Sequence, residues 1–404
     1  MNYNFCALAK IRRAAAILLV FALSLGIVFG TAGCSEPQKE RFQKTYLDAF
    51  DTAISVVGYS DSEEAFTEMA ETYVHNELMR YHRLYDIYTE YTGINNIKTI
   101  NENAGIEPVA VDGDIIAMLE FARDMYYVTD GKVNIAMGSV LELWHDARNH
   151  GINYPDKAKL PDMAKLEAAS AHCNIEDMII DKEAGTVFLA DPDMRLDVGA
   201  VAKGYATERI AQDLEAGGYT NIILNIGGNV RAIGAKADGM PWVVGIQNPD
   251  LTSSIAHIET IETDALSLAT SGVYQRFYVV DGKNYHHIID GDTLMPEDRY
   301  LSVSVLTEDS GLADALSTAL FNMDYEEGKS FVEGLASSVS AERGLAAGLS
   351  ENAPSRAGVT EAETDDEKTE ETGADSVIEV MWVMPDGEKR YTDGFEAYIV
   401  SETK

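Results

Sequence analysis

Three stretches in the second half of the chain combine residues able to handle protons, metal ions or phosphate. In the first, Thr270-Ser271-Gly272 leads into Val273-Tyr274-Gln275-Arg276-Phe277, which sets hydroxyls at a strand end beside a flexible turn. The second, Tyr285-His286-His287-Ile288-Ile289-Asp290, puts two histidines on opposite faces of a strand, so one can face a site while the other faces solvent or core. Without a third ligand at a recognised spacing they are a weak zinc signal. General acid or base is the better functional reading for one of them, and a structurally satisfied histidine is the plainer alternative. In the third, Ala313-Asp314-Ala315-Leu316-Ser317-Thr318, Asp314 and Thr318 are four apart and share one helix face. A carboxylate and a hydroxyl together suit Mg²⁺, which takes hard oxygen ligands and keeps waters and substrate phosphates as its others. N-capping by Asp314 is the competing explanation.

Those groups require a frame that brings distant stretches together. The best candidate is Arg195 to Ile210 (RLDVGAVAKGYATERI) read with Asn221 to Ile233 (NIILNIGGNVRAI), a succession of strand, turn, helix and strand. Glycines at such junctions let main-chain N–H groups approach a ligand, and a helix N-terminus favours phosphate; ordinary turn chemistry explains the same stretch equally well. The surrounding pattern is that of an α+β protein with mixed, largely antiparallel sheets flanked by helices, not a doubly wound parallel sheet. Asp48 to Tyr59 reads as an opening strand, and Asp61 to Tyr91 as a long helix with Phe66, Met69, Tyr73, Leu78 and Leu84 on one side. Asp112 to Thr129 reads as a second helix, capped by Asp112 or Asp114 and stopped by Gly131. The apolar run from Gly131 to Asp146 reads as core, followed by loop and short helix from Gly151 to Ala169. Hairpins are predicted at 178–190, at 277–289 with a turn over Asp281 to Asn284, and at 377–400.

With 404 residues, 46% of them hydrophobic, the chain can bury a large core. Its net charge of −36, from 31 Lys+Arg against 67 Asp+Glu, argues against a nucleic-acid surface, which needs clustered cations; a phosphate ligand would come with a metal. Between Thr360 and Asp375 eight acids face one base, so 337–375 is expected to be a disordered acidic insertion in a single domain spanning 48–404. At the N-terminus, Lys10, Arg12 and Arg13 precede an apolar run from Ala14 to Phe29 that closes on Gly30-Thr31-Ala32-Gly33-Cys34. This order is that of a secretory signal over 1–33. The Ala-Gly-Cys ending resembles a bacterial lipobox, with Thr31 in place of the usual leucine. Cys34 is then the expected lipidation site, 34–47 a tether, and the extracytoplasmic face of the membrane the expected location. A simply cleaved signal or an uncleaved anchor gives the same side. Cys173 is left as the one thiol of the mature body; beside His172 it points in a different direction and reads as a buried structural thiol.

Taken in order, LDVGAVAKGYA, NIGGNVRAIG, ATSGVYQRFY, YHHIID and ADALSTALF resemble the ApbE family of FAD:protein FMN transferases, bacterial lipoproteins that move FMN from FAD onto a threonine or serine hydroxyl of a target protein. The resemblance covers nearly everything from Phe50 to Val400 except the acidic insertion. It implies one large ApbE-like domain, FAD as substrate, Mg²⁺ as cofactor and an acceptor protein as partner.

Residue by residue, the resemblance implies that Phe50 stands where a methionine commonly lines the flavin and that Tyr88 is the aromatic stacking near it. Lys132, Val133 and Asn134 match a flavin-contacting turn whose last residue is usually aspartate, so Asn134 removes a charge there. Asp197, Lys203 and Ile289 fall at FAD-contacting positions. Ala200 gives a backbone carbonyl to Mg²⁺, with Asp314 and Thr318 as side-chain ligands, and His287 is the family's histidine and the candidate base, with Asp197 or Asp290 as alternatives. Gly291 and Leu294 replace the proline and glycine of the usual His-Ile-Ile-Asp-Pro-x-Thr-Gly-x-Pro pattern, while Thr293 and Pro296 remain, so an altered loop is expected. Two further activities fit the same residues: an Mg²⁺-dependent FAD pyrophosphatase giving FMN and AMP, and a non-enzymatic flavin-binding lipoprotein.

Overall fold

Several strands of this chain carry apolar side chains on both faces, which demands a packing layer on each side. The computed structural model describes residues 39–351 and 377–400, with side chains for 39–338 and 377–400. Residues 1–38, which include the expected signal segment and Cys34, and residues 352–376 and 401–404 lie outside the described residues.

The chain opens with β1 (Glu40–Tyr46) and β2 (Ile54–Ser60). One helical rod follows, made of α1 (Glu63–Met69), a π turn (Ala70–His75) and α2 (Asn76–Tyr85). It stops at Tyr85 instead of Tyr91 because the Asp86 carboxylate accepts from the Tyr88 and Thr89 N–H groups, at 2.7 and 3.2 Å, and so competes with helix continuation. Then come α3 (Ile97–Glu102), β3 (Val109–Ala110), α4 (Gly113–Val128), α5 (Gly138–Asn153) and α6 (Met163–Ser170). Asp112 caps α4 by accepting from the Asp114 N–H. The middle of the chain gives β4 (Met178–Asp181), β5 (Thr186–Leu189), α7 (Ala202–Ala216), β6 (Ile222–Ile226), β7 (Asn229–Ile233), β8 (Trp242–Gln247), β9 (His257–Thr263) and β10 (Ser267–Gly272). The last part gives β11 (Phe277–Val280), β12 (Lys283–His286), β13 (Ser302–Thr307), α8 (Ser310–Phe321), α9 (Tyr325–Glu351), β14 (Ile378–Val383) and β15 (Lys389–Tyr391).

Eight strands form the central sheet in the order β1-β2-β6-β7-β10-β13-β14-β15, antiparallel at every pair from β2 onward. Alternation along β14 shows why both faces are buried. Ile378, Val380 and Trp382 join the main core with the helices, while Met381 and Val383 join a second core with Val244, Ile246 and Ile261 of the β8–β9 hairpin. A third cluster, including Val140 and Trp144 of α5, Tyr278 of β11, Ile289 and Leu294, packs beneath the β11–β12 hairpin. The body is thus α+β, and residues from Arg41 onward make one compact unit.

Five sequence expectations are revised. The second half of the expected tether is β1, because Phe42 and Tyr46 alternate with polar residues and pack on the core. Phe50 precedes the opening strand in a turn. The apolar run before Asp146 enters α5, which reaches Asn153, and β12 ends at His286 so that His287, Ile288 and Ile289 lie beyond the hairpin and the two histidines do not share a strand as expected. Finally, α9 continues to Glu351, into the segment expected to be a disordered loop; its Ala, Leu, Ser and Glu residues suit a helix better than the acid-rich stretch that follows.

Candidate active site

The predicted carboxylate–hydroxyl pair sits on α8, which lies across β7, β10 and β13 and packs against α7. Asp309 caps α8 by accepting from the Leu312 N–H, so Asp314 is a mid-helix residue, 7% exposed, and not the cap. The two helices approach closely because residue 204 is glycine. A Cβ there would lie 2.4 Å from both Asp314 Cβ and the Ser310 carbonyl oxygen. The Gly204 N–H donates to Asp314 Oδ2 at 2.8 Å, and Lys203 Nζ is 3.4 Å from the same oxygen. These contacts offset the desolvation of the carboxylate and leave Oδ1 without a protein partner among the described residues. With the Gly204 N–H turned toward Asp314, no described hydrogen bond reaches the Ala200 carbonyl in the turn before α7. Thr318 is one helical turn beyond Asp314; its hydroxyl is 3.4 Å from Ser271 Oγ, which is 2.8 Å from Ser317 Oγ. The unpartnered Ala200 carbonyl, Asp314 Oδ1 and the Thr318 hydroxyl are each hard-oxygen donors, the ligand type that Mg²⁺ takes.

The two histidines separate into different roles. His286 Nε2 donates to the Glu297 carbonyl at 2.5 Å, its Nδ1 accepts from the Ile288 N–H, and its ring meets Phe321 edge-on. His287 Nδ1 is buried with no hydrogen-bond partner among the described residues. Burial, reinforced by the charges of Arg276, Arg148 and Lys203, pushes its pKa down to about 3, so the ring is neutral at neutral pH. Of the alternative bases, Asp197 Oδ1 accepts from the Gly199 N–H at 2.9 Å and Asp290 Oδ1 from the Asp292 N–H at 3.0 Å.

A third residue, His145 on α5, is absent from the sequence reading. Its Nδ1 is 2.9 Å from the Tyr88 hydroxyl and its Nε2 is 3.7 Å from Asp197 Oδ2. Burial lowers its pKa against the opposing charge of Asp197. His145 and Arg148 join His287, Trp144, Tyr278 and Tyr285 in lining a small, partly open cavity. The available signal was two polar residues at i and i+3 beyond an apolar helical run.

The other expected contacts are distributed around these groups. Tyr88 is 61% exposed, which leaves its ring free for stacking. Phe50 adopts φ 53°, followed by Asp51 at 51°, and its N–H donates to His82 Nδ1 at 3.3 Å. Lys132 Nζ is 2.7 Å from Asp292 Oδ2 and 3.8 Å from Asp290 Oδ1. Val133 is buried, and the Asn134 amide is engaged by the Cys173 carbonyl and the Ala136 N–H, so its side chain works within the protein. Ile289 is buried and bridges Pro296. Leu294, at the position where the resemblance has glycine, takes φ 59°, in the left-handed region that favours glycine. Its N–H donates to the Asp290 carbonyl, and its own carbonyl accepts from Trp144 Nε1, so tertiary contacts offset the strain. Cys173 behaves as a structural thiol, with burial pushing its pKa up to about 11. Its neighbour His172 forms a separate surface cluster with Asp191, at 2.7 Å, and Asp193, at 4.0 Å. Both ring nitrogens are thereby directed at carboxylates, and the cluster shares no residue with the Asp314 group.

The architecture and this set of groups define an α+β protein with a carboxylate centre between two helices and a histidine-lined cavity on the β11–β12 hairpin. The model of the ApbE family matches residues 46–341, and the chain belongs to that family. An FAD:protein FMN transferase of Klebsiella pneumoniae is 32% identical over 247 residues, covering 61% of this chain and 74% of the relative. One of Vibrio cholerae is 29% identical over 312 residues, covering 75% and 87%. The solved ApbE protein of Thermotoga maritima superimposes with a TM-score of 0.69 at 26% identity, over 90% of this chain and 100% of that one.

Proposed function

We propose that the chain transfers FMN from FAD to a threonine or serine hydroxyl of an acceptor protein, with Mg²⁺ and with release of AMP. The observation that carries this reading is the Asp314 group. A buried carboxylate with one free oxygen, a hydroxyl one turn away and an unpartnered carbonyl occur in a family whose named relatives are FMN transferases. Asp314, Thr318 and Ala200 would hold Mg²⁺, which when bound supplies positive charge to the pyrophosphate and the departing AMP.

The protein's own groups then have defined tasks. Tyr88 offers a ring face to the flavin, and Phe50 and Ile289 offer apolar contact. Lys203 neutralises phosphate charge beside Asp314. The acceptor oxygen forms a bond to the FMN phosphorus as the bond to AMP breaks, and His287 takes the hydroxyl proton. Burial and the neighbouring cations make the free His287 a weak base; an anionic pyrophosphate beside Arg276, Arg148 and Lys203 offsets the cationic part and so shifts its pKa upward. Asp197 and Asp290 are each already committed to a backbone N–H, which favours His287 over them.

The test is covalent FMN on a co-incubated acceptor, read by mass spectrometry. FMN and AMP formed without an acceptor would make the protein a pyrophosphatase instead, and intact FAD would make it a binding protein. We also propose that Cys34 carries lipid at the extracytoplasmic face of the membrane. The full-length chain should enter the detergent phase on partition and its Cys34→Ala variant should not; equal partition of both would refute the anchor.

A further inference from the structure

We propose that Arg148 and Arg276 form an anion subsite, at the cavity between α5 and the β11–β12 hairpin, that grips a phosphate group of the dinucleotide separately from the Lys203–Asp314 pair. The proposal rests on the FAD reading for the identity of its ligand, but the subsite itself rests on the arrangement of the two arginines.

Arg148 lines the cavity from α5, and Arg276 immediately precedes β11, the strand that packs on α5. Arg148 is half-buried and Arg276 exposed. Neither makes an ion pair within 4.0 Å or a hydrogen bond among the described residues. No carboxylate therefore neutralises either guanidinium directly, although the chain has 67 acids against 31 bases. Arg231, by contrast, lies 3.2 Å from Glu208 and 3.3 Å from Glu215. The neighbouring acidic groups of the Arg148 site are Tyr88 and Asp197, and Asp197 is directed to Gly199 and His145. Burial, with the like charge of Arg276 adding to it, lowers the pKa of the Arg148 guanidinium. Two cations held near each other without a counter-ion are stabilised by an anion from outside, and the guanidinium fork matches phosphate oxygens bidentately.

The cavity walls add to the effect. Trp144 and Tyr285 lie with ring centroids 6.5 Å apart and nearly parallel, and Tyr278 is 6.2 Å from Tyr285. Aromatic walls exclude water and strengthen a charge pair inside. His287 lines the same cavity and feels Arg276, Arg148 and Lys203 together. Two cationic groups therefore converge on the candidate base, as the two linked phosphates of FAD require.

The test is calorimetric titration, without added metal, of inorganic pyrophosphate, FAD and riboflavin into wild type, Arg148→Gln, Arg276→Gln and Arg148→Lys. Each Gln variant is expected to bind pyrophosphate and FAD about tenfold or more weakly, the loss of one charge-assisted contact. Riboflavin, which has no phosphate, should bind all four alike, and Arg148→Lys should keep part of the affinity. Pyrophosphate binding unchanged in both Gln variants would overturn the subsite. Weakened pyrophosphate binding with no FAD binding by wild type would keep the subsite and remove the flavin reading. Arg276 is exposed, so Arg276→Gln decides the matter even if Arg148→Gln unfolds.

Discussion

At the scale of single residues, His287 shows most clearly what sequence can and cannot reveal. Two adjacent histidines announce that one can face a site, but the strand ends at His286, and what separates their roles is a carbonyl from Glu297 that only the folded loop brings to His286. Asp314 and Thr318 were legible because a helix places i and i+4 on one face. His145 was not, because its partners Tyr88 and Asp197 come from two distant segments. The depressed pKa of His287 has a consequence for stability. The folded ring stays neutral down to about pH 3, whereas the unfolded ring takes a proton near 6.5, so the unfolded chain binds more protons in that window. Stability contributed by the neutral ring is therefore full above about pH 6.5 and falls as pH drops toward 3, by up to a few kcal/mol. In denaturant titrations between pH 6 and 4, His287→Gln should lose less stability than wild type. Parallel losses in the two proteins would contradict the buried, neutral assignment.

At the scale of elements, the crossing of α7 and α8 sets the carboxylate centre. Gly204 is the contact point, and its missing side chain lets a backbone N–H reach Asp314. Gly204→Ala forces the helices apart or the Asp314 side chain aside, at a cost of about 1–3 kcal/mol. Thermal unfolding should show a lowered Tm, and flavin transfer should fall further than the fraction unfolded explains. An unshifted Tm with full activity would show that the crossing has room to spare. Much of the helix, strand and hairpin order was readable from periodicity, including the β4–β5 hairpin and a cap at Asp112 or Asp114, which the fold resolves to Asp112. The misplaced boundaries have physical causes: the Asp86 side chain ended a helix early, and β1 looked like a tether because its alternation is written in polar residues around Phe42 and Tyr46. The loop after Asp290 was expected to change with Leu294, yet the backbone there is left-handed, because burial against Trp144 offsets what glycine would have avoided.

At the scale of the whole molecule, an eight-stranded sheet covered on both faces carries α8, with α7 packed against it, while the β11–β12 hairpin packs on α5; Lys203, beside Asp314, is the charge that links the carboxylate centre to His287. No described helix is long and apolar enough to cross a membrane. A net charge of −36 repels a polyanionic substrate from most of the surface, which gives local cations and a bound metal a decisive part in holding a pyrophosphate. The most direct measurement is mass spectrometry of an acceptor protein incubated with FAD and Mg²⁺ in the presence of wild type or Asp314→Ala. Covalent FMN on a threonine or serine with wild type, lost on chelation of the metal and in the variant, is the predicted result. Equal flavinylation by Asp314→Ala, or by wild type after the metal is stripped, would contradict the assignment.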